Sequence, residues 1–327
     1  MGIPFRTHRS FPMKYLGIDC GGSRITGVVL SSEGRIASTA RAAGGNASLL
    51  SKARLKTLLR KFLRQLLPGS DFSDIGFCIA GFAGAGREGV KADIASMFYS
   101  LGISRLRILS DLELAHLTVF DQSQGILLVS GTGSACLFRN SRGQLKQAGG
   151  WGYALGDEGS GFAIGREAIR VALLESEFVG DTALSRFVER LTGKKSSREN
   201  LLHFVYSISN PQAQIAACAR SVCEFAESGE AWALRIIDTT AAQLFDLLQR
   251  VVAANDFDIP VRLALYGGLL QNPTPVRKAL VERVATLEVD FVSGFLPPAV
   301  GGALRALETQ AGKVDTEVIQ NLSQVVL

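Results

Sequence analysis

The sequence predicts an α/β protein made of two related lobes, and the alternation and repetition of its apolar segments carry this prediction. Glycine is enriched, with 35 of 327 residues, or roughly 11% against a usual share of about 7%. Charged residues make up 20% and hydrophobic residues 47%, which excludes a disordered chain. Apolar strand-like runs alternate with helix-like segments, as in α/β layers, and one strand–turn–strand opening occurs twice.

The first half begins with three predicted strands over 15–20, 26–32 and 35–41. Glycine-containing turns separate them, which indicates an antiparallel meander. A helix over 49–67 follows and ends at Pro68-Gly69. We then predict a strand, a short helix and a strand over 74–81, 88–101 and 105–111.

The segment 125–147 repeats the opening pattern. The spacing is 12 residues both from Gly22 to Gly34 and from Gly131 to Gly143, which favours a duplicated domain. The remaining chain is predicted to be more helical. It contains helices near 160–179, 181–192, 212–228 and 229–254, strands over 261–268 and 288–293, and a helix opened by Pro297-Pro298.

Composition also limits the cell compartment and the classes of partner that the sequence predicts. The five cysteines form no CxxC pair, which argues against a disulfide framework or a zinc ribbon and favours a reducing cytoplasm. No apolar run approaches the roughly 20 residues of a membrane span, so we expect no membrane partner. The first dozen residues contain no apolar core and are predicted to be a disordered lead-in rather than a secretory signal.

One predicted helix carries a basic face. Six basic residues and no acid fall in 52–64, and four of them recur every fourth residue: Lys52, Lys56, Arg60 and Arg64. Nucleic-acid binding would require aromatic residues between the charges, and this face has none. We therefore predict a solvated face and no nucleic-acid partner.

Two glycine-rich turns, DCGGS and SGTGS, are candidate phosphate loops. Glycine leaves backbone N–H groups open to phosphate oxygens, and the loops add the hydroxyls of Ser23, Thr26, Thr132 and Ser134. Neither loop matches GxxxxGK[ST] or a GxGxxG that opens a helix, which disfavours Walker-type and dinucleotide sites. A hairpin that needs glycine only for its dihedral angles is the alternative for either loop alone.

Two aspartates end predicted strands. Asp19 immediately precedes the first loop and is a candidate magnesium anchor through water, with a turn-satisfying role as the alternative. Asp111 is the last residue of the strand over 105–111, where a carboxylate can orient an alcohol and accept its proton. Helix capping is the alternative for Asp111, and one residue can do both.

The segment AGGWGYALGDEGSGFAIGREA combines glycines, Trp151, Asp157 and Glu158. An aromatic ring and carboxylate acceptors in a glycine-rich loop suit a sugar. The alternative is that the carboxylates are ordinary acids at a helix N-terminus. Asn46, after a glycine pair, adds a candidate amide contact.

These motifs together resemble a known family. Their order is the one seen in N-acetylglucosamine kinases: DCGGSRIT, GGN, AGFAG, SDLELA, LVSGTGSACL, GGWGYALGDEGSG and ALYGGLLQN. That family belongs with the BadF/BadG-type ATPases in the actin-like, sugar kinase and Hsp70 superfamily. The resemblance runs from about residue 14 to 310.

The resemblance implies two ribonuclease-H-like, actin-type ATPase lobes with a ligand cleft between them. The N-terminal lobe would cover 13–117, with 308–327 packing back on it, and the larger C-terminal lobe would cover 118–307. The phosphates of ATP would bind Gly21, Gly22, Ser23 and Thr26 in one loop and Gly131, Thr132, Gly133 and Ser134 in the other. Adenosine would lie at Gly267 and Gly268.

The resemblance also implies the sugar and metal contacts. The sugar would contact Asn46, Asp111, Gly150, Trp151, Gly152 and Asp157. Asp111 would be the general base, and Asp19 would lie on the Mg²⁺ side. The first phosphate loop of this family often has Thr where Ser23 stands here, and the hydroxyl is kept.

The implied activity is transfer of phosphate from ATP, with Mg²⁺, to the 6-hydroxyl of an amino sugar, chiefly N-acetylglucosamine, by a cytoplasmic homodimer. Glucosamine is the nearest alternative substrate. A second alternative is the ATPase that activates an acyl-CoA reductase or dehydratase, which holds an iron–sulfur cluster with cysteines at a dimer interface. A sugar-sensing regulator would need a helix-turn-helix, for which the short N-terminal arm has no room.

Overall fold

Two five-stranded sheets organise the chain. The computed structural model describes residues 13–22, 24–70, 72–178, 183–207 and 210–323. The predicted lead-in over 1–12 and Ser23 lie outside these residues. The chain divides into two units: the first runs to Asp121 and resumes at Gly294, and the second covers Gln122–Ser293.

The described residues contain the following strands and helices. The strands are β1 (Lys14–Cys20), β2 (Arg24–Leu30), β3 (Ile36–Ala43), β4 (Ile75–Phe82), β5 (Leu106–Ser110), β6 (Gly125–Ser130), β7 (Ser134–Arg139), β8 (Leu145–Gly149), β9 (Val261–Tyr266) and β10 (Val289–Val292). The helices are α1 (Lys52–Leu66), α2 (Glu88–Tyr99), α3 (Asp111–Phe120), α4 (Gly161–Phe178), α5 (Ala183–Thr192), α6 (Arg198–Tyr206), α7 (Pro211–Glu227), α8 (Ala231–Ala253), α9 (Gly268–Gln271), α10 (Pro275–Val284), α11 (Pro298–Ala311) and α12 (Thr316–Ser323). None of these helices is long and apolar enough to cross a bilayer.

The sheet of the first unit has the order β3-β2-β1-β4-β5. β1, β2 and β3 form the predicted antiparallel meander, and β4 and β5 run parallel to β1. Alternate side chains of β1 point to opposite faces, as strand geometry requires. Leu16 and Ile18 pack with α1 and α2, whereas Tyr15 packs with α3 and α11.

Helix α1 buries one face and exposes the other. Leu55, Leu59 and Phe62 are among its buried residues. On the basic face, Lys52, Arg60 and Arg64 are exposed and Lys56 is half-buried, as expected of a solvated face.

Helix α11 packs directly on the backbone of β1. A Cβ at Gly17 would lie 2.0 Å from the carbonyl oxygen of Ala299 and 2.3 Å from the nitrogen of Ala303, so only glycine allows this approach. This packing makes α11 part of the first unit. The sequence-based boundaries differ, because they assign 118–307 to the C-terminal lobe.

The second sheet repeats the first in order and direction. Its order is β10-β9-β6-β7-β8, with β6, β7 and β8 antiparallel and β9 and β10 parallel to β6. The shared topology confirms the prediction of an α/β protein with two related ribonuclease-H-like units and supports duplication. Helices α4 and α7 pack closely, since a Cβ at Gly165 would lie 1.9 Å from the carbonyl oxygen of Ile215.

Candidate active site

In the first unit, the predicted residues gather at the carboxyl ends of parallel strands. Asp19 is the next-to-last residue of β1 and pairs in register with Thr26 of β2 and Gly81 of β4. Asp111 follows β5 directly and begins α3. Ligand groups commonly gather at this edge of an α/β sheet.

Gly81 allows α3 to approach the sheet. A Cβ there would lie 2.7 Å from the Cβ of Leu114 and 3.1 Å from the carbonyl oxygen of Ser110. Any larger residue would therefore push α3, and Asp111 with it, away from β4. The glycine thus helps to place Asp111 on the same edge as Asp19.

The pKa values of both carboxyl groups are raised. Burial, and then the charge of Asp111, raise the pKa of Asp19 to about 6, while Arg24 opposes the shift. Burial also raises the pKa of Asp111, although the N–H of Leu112 donates to its Oδ1 at 3.0 Å and favours the carboxylate. Neighbouring, partly desolvated carboxyl groups with raised pKa values are typical of sites that bind a cation or exchange a proton.

Helix α3 begins with a capping box that the sequence analysis did not single out. The N–H of Glu113 donates to the Oγ of Ser110 at 3.1 Å, and the N–H of Ser110 donates to Glu113 at 2.7 Å. Lys91 donates to Glu113 at 3.0 Å. Ser110 is therefore the cap, and the carboxylate of Asp111 is not needed for that purpose. The Ser-x-x-Glu pattern is the signal that predicts this arrangement.

The first glycine loop is braced by the following loop. The N–H of Gly21 donates to the carbonyl oxygen of Arg24 at 2.9 Å, and the N–H of Gly45 donates to that of Gly21 at 3.1 Å. A Cβ at Gly22 would meet no described atom within 4 Å, and one at Gly21 would make only an ordinary contact. Packing against the described residues therefore requires glycine at neither position.

Asn46 is held by its own loop. Its Oδ1 accepts hydrogen bonds from the N–H and the hydroxyl of Ser48, at 2.9 and 2.7 Å. A Cβ at Gly84 would lie 2.1 Å from the same oxygen. The amide nitrogen of Asn46 has no hydrogen-bond partner within the described ranges, so it can serve a ligand.

In the second unit, the N-terminus of α4 holds the second glycine loop. The N–H of Gly161 donates to the carbonyl oxygen of Gly131 at 2.7 Å, and the N–H of Phe162 donates to that of Thr132 at 3.3 Å. The N–H groups of Thr132 and Gly133 have no hydrogen-bond partner among the described residues. Free amides in a loop of this kind are donors for phosphate.

Asp157 connects the second glycine loop to the tryptophan loop. It is 6% exposed and has a left-handed φ of 63°. Burial raises its pKa, although the backbones of Ser134 and Gly152 hydrogen-bond to its carboxylate and oppose the shift. One carboxylate thus contacts both the predicted phosphate loop and the predicted sugar loop.

Trp151 is presented to solvent. Its side chain is 70% exposed, and Gly150 and Gly152 on either side have φ values of +68° and +86°. The neighbouring ring of Tyr153 packs on that of Phe162, with 5.0 Å between centroids. The indole face is therefore available for stacking on a ligand.

A pocket of about 830 Å³ lies beside the second glycine loop. Gly131, Thr132 and Gly268 line it together with one face of α7, which the sequence analysis missed. That face carries Ala213, Ala216, Ala217 and Arg220. A stripe of alanines on a helix is the available signal, although helix packing produces the same pattern.

Two predicted ligand residues of this unit have structural roles and do not line that pocket. Gly267 has a φ of +89°, and a Cβ there would lie 2.4 Å from the carbonyl oxygen of Ser130. The hydroxyl of Ser134 donates to the carbonyl oxygen of Glu158 at 2.6 Å. Gly267 and Ser134 therefore stabilise the loops around the pocket and do not form part of its wall.

Known proteins share this sequence pattern and this fold. An N-acetylmuramic acid/N-acetylglucosamine kinase of Clostridium acetobutylicum is 30% identical over 265 residues, which are 80% of this chain and 87% of the relative. An N-acetyl-D-glucosamine kinase of Dictyostelium discoideum is 26% identical over 316 residues, which are 90% of this chain and 98% of the relative.

A solved structure from Chromobacterium violaceum has the same fold. It matches with a TM-score of 0.74 at 22% identity, covering 91% of this chain and 99% of its own. The model of one family matches residues 16–306. These matches confirm the family that the motifs indicate: the chain belongs to the BadF/BadG/BcrA/BcrD ATPase family.

Proposed function

We propose that this protein transfers the γ-phosphoryl group of ATP to the 6-hydroxyl of an amino sugar, with N-acetylglucosamine as the preferred substrate. The chain is an ATP-dependent sugar kinase of an ATPase family, and both relatives described above are named as kinases of N-acetylated amino sugars. The observation that carries the proposal is the placement of Asp111, half-buried at the carboxyl end of β5, where its charge contributes to the raised pKa of Asp19.

Asp111 is the proposed general base. Its raised pKa favours proton uptake, and the capping of α3 by Ser110 leaves its second oxygen, Oδ2, for the sugar hydroxyl. As the hydroxyl oxygen attacks the γ-phosphorus, its proton passes to Asp111. The bond between the γ-phosphorus and the β–γ bridging oxygen breaks, and ADP leaves.

The proposed nucleotide site lies in the pocket of the second unit. The free N–H groups of Thr132 and Gly133 are suited to phosphate oxygens, and the alanines of α7 form a flat wall for the adenine. Gly268 lines the same pocket, and a Cβ there would meet no described atom within 4 Å. In the first unit, Gly21, Gly22 and Thr26 are the proposed partners of the terminal phosphates.

The residues present suit a magnesium ion. Carboxylate oxygens are the ligands that Mg²⁺ prefers, and a divalent cation would relieve the repulsion that contributes to the raised pKa of Asp19. We assign Asp19 to hold it, through water. Such an ion neutralises charge on the phosphates during transfer.

The sugar contacts proposed are Asn46, Asp111, Gly150, Trp151, Gly152 and Asp157. The free amide nitrogen of Asn46 and the exposed ring of Trp151 support this assignment. The nearest alternative activity, that of a glucosamine kinase, would differ from the proposed one only in the sugar. The activator-type ATPase is disfavoured because all five cysteines are buried, which leaves none at the surface to bridge an iron–sulfur cluster.

The test is ADP release from purified protein with ATP and Mg²⁺ over a panel of sugars. N-acetylglucosamine, glucosamine, N-acetylmannosamine, N-acetylmuramate and glucose are compared with a no-sugar control, and product NMR locates the phosphate. We expect the highest kcat/KM with N-acetylglucosamine. Light scattering on the same sample tests the homodimer that the resemblance implies. ATP hydrolysis that no sugar stimulates would favour the activator class.

The variant Asp111→Asn tests the role of the base. We expect it to fold normally and to lose about 10²–10⁴-fold in sugar-dependent turnover. Unchanged turnover would refute the assignment of Asp111.

A further inference from the structure

A second pocket, of about 460 Å³, lies between α4 and α8 in the second unit. It shares no lining residue with the nucleotide pocket. Residues three and four apart on α4 and on α8 supply its walls, so each helix contributes one face. The lining includes Arg166, Arg170, Arg235, Trp232, Thr239 and Gln243.

Three guanidinium groups give this pocket a positive charge. Arg170 is neutralised, since its Nε and Nη2 donate to Glu167 at 2.8 and 2.6 Å. Arg166 and Arg235 form no ion pair within the part of the chain that the structure describes. The guanidinium of Arg166 lies over the ring of Phe162, 5.9 Å from its centroid, and Glu167 also lines the pocket. An anion would therefore meet Arg235 and the polar edge of Arg166, one cation from each helix.

Trp232 lines the same pocket, and its ring carries a buried donor. Trp232 is 5% exposed, and its indole N–H has no hydrogen-bond partner in the described ranges. A buried donor that has no acceptor destabilises the protein about as much as the loss of one hydrogen bond does. A ligand oxygen that reached this group through a small shift of the ring would remove that cost.

We propose that this pocket binds the phosphate group of a small phosphorylated molecule. Guanidinium groups match phosphate oxygens in bidentate geometry, which favours phosphate over a simple carboxylate. The volume falls within the usual range of about 300–1,000 Å³ for small-molecule sites, so bare phosphate would leave much of it unfilled. The amide of Gln243 and the hydroxyl of Thr239 suit the polar remainder of such a molecule.

The pocket is connected to the tryptophan loop. The Oε1 of Gln243 accepts a hydrogen bond from the N–H of Gly159 at 3.2 Å, and a Cβ at Gly159 would lie 2.5 Å from the Cγ of Leu244. Gly159 is two residues from Asp157. A ligand that recruits Gln243 would therefore shift the loop and change the affinity for the sugar, a consequence that rests on the proposed function.

The chain offers a direct optical test of binding. It has two tryptophans, so Trp151→Phe leaves Trp232 as the single one, inside the pocket. The fluorescence of this variant is titrated with inorganic phosphate and, separately, with glucose 6-phosphate. We expect a saturable change with both probes and tighter binding of glucose 6-phosphate. This readout needs neither ATP nor turnover, so its failure is distinct from failure of the proposed function.

Matched arginine variants locate the site. In the same background, the double variant Arg166→Gln/Arg235→Gln is expected to weaken binding at least about tenfold. The control Arg60→Gln/Arg142→Gln removes the same charge from exposed positions outside the pocket and is expected to change binding less than about twofold. Absence of saturable binding, or equal loss in the control, would overturn the site. Equal affinity for the two probes would overturn the assignment to a phosphorylated molecule.

Discussion

Gly133 and the carboxylate of Asp157 are in such close contact that a Cβ on Gly133 would lie 2.7 Å from Oδ2 of Asp157. The glycine belongs to the second glycine loop, and the aspartate also accepts from the backbone of Gly152 in the tryptophan loop. Any side chain at 133 must therefore displace the carboxylate that joins the two loops.

The first prediction concerns Gly133→Ala. We expect the variant to lose about 1–3 kcal/mol of unfolding free energy, as overpacked sites do, and to bind the sugar more weakly. Chemical denaturation and sugar titration measure the two effects. Gly131→Ala is the matched control in the same loop, because a Cβ there would meet no described atom within 4 Å. Equal destabilisation by both variants would contradict this reading of the contact.

The second prediction separates two adjacent glycines. Gly267→Ala combines a left-handed backbone with a Cβ only 2.4 Å from the carbonyl oxygen of Ser130. We expect a loss of about 1–3 kcal/mol or more in unfolding free energy. Gly268→Ala has neither penalty and should keep its stability while raising the KM for ATP, because Gly268 lines the nucleotide pocket. The reverse pattern would exclude this assignment of roles.

Much of the fold is predictable from local patterns. β1 and β5 are apolar runs bounded by polar or glycine residues, and the structure places them within one residue of the predicted ends at Lys14–Cys20 and Leu106–Ser110. The unpredicted helices α6, α9, α10 and α12 are short. α6 buries only Leu201 among its described residues, so its sequence carries little periodic signal.

The remainder depends on contacts between distant residues. No local pattern shows that α11 packs on Gly17, because the partners are almost the whole chain apart. The position of Asp111 at a strand end is predictable, whereas the effect of its charge on the pKa of Asp19 follows only from the packing of β1, β4 and β5. Likewise, the sequence alone does not show that the alanines of α7 line a pocket, because the other walls come from distant residues.

The third prediction concerns Trp151→Ala. Because the side chain is 70% exposed, we expect the unfolding free energy to change by less than about 0.5 kcal/mol. Loss of stacking should raise the KM for the sugar about tenfold, or about 1.4 kcal/mol, with the KM for ATP unchanged. Trp151→Phe keeps an aromatic face and should recover most of the affinity. If neither variant changed the KM for the sugar, Trp151 would not be a sugar contact.

The fourth prediction concerns the α7 wall. Ala217→Leu places a larger side chain in the nucleotide pocket from an exposed helix position, where leucine is also a good helix former. We expect the KM for ATP to rise about tenfold with the KM for the sugar within about twofold. Gln214→Leu is the control, since this exposed residue of the same helix does not line the pocket. Steady-state kinetics decide the matter, and an unaffected KM for ATP in Ala217→Leu would place the adenine elsewhere.

The fifth prediction concerns Asp19→Asn. The variant keeps the size of the side chain and removes a half-buried carboxylate whose pKa is raised by desolvation and by the charge of Asp111. Because burying a charge costs free energy, the protein without ligands or metal should be as stable as the wild type or more stable.

The Mg²⁺ concentration for half-maximal activity should rise by roughly tenfold or more, as expected when a group that orients a metal is lost. Thermal unfolding in EDTA and magnesium titration of turnover are the measurements. Asp121→Asn, half-buried at the C-terminal end of α3, is the control for the magnesium titration. An unchanged magnesium requirement would show that Asp19 does not hold the ion, and lower stability without metal would show that its carboxylate supports the fold instead.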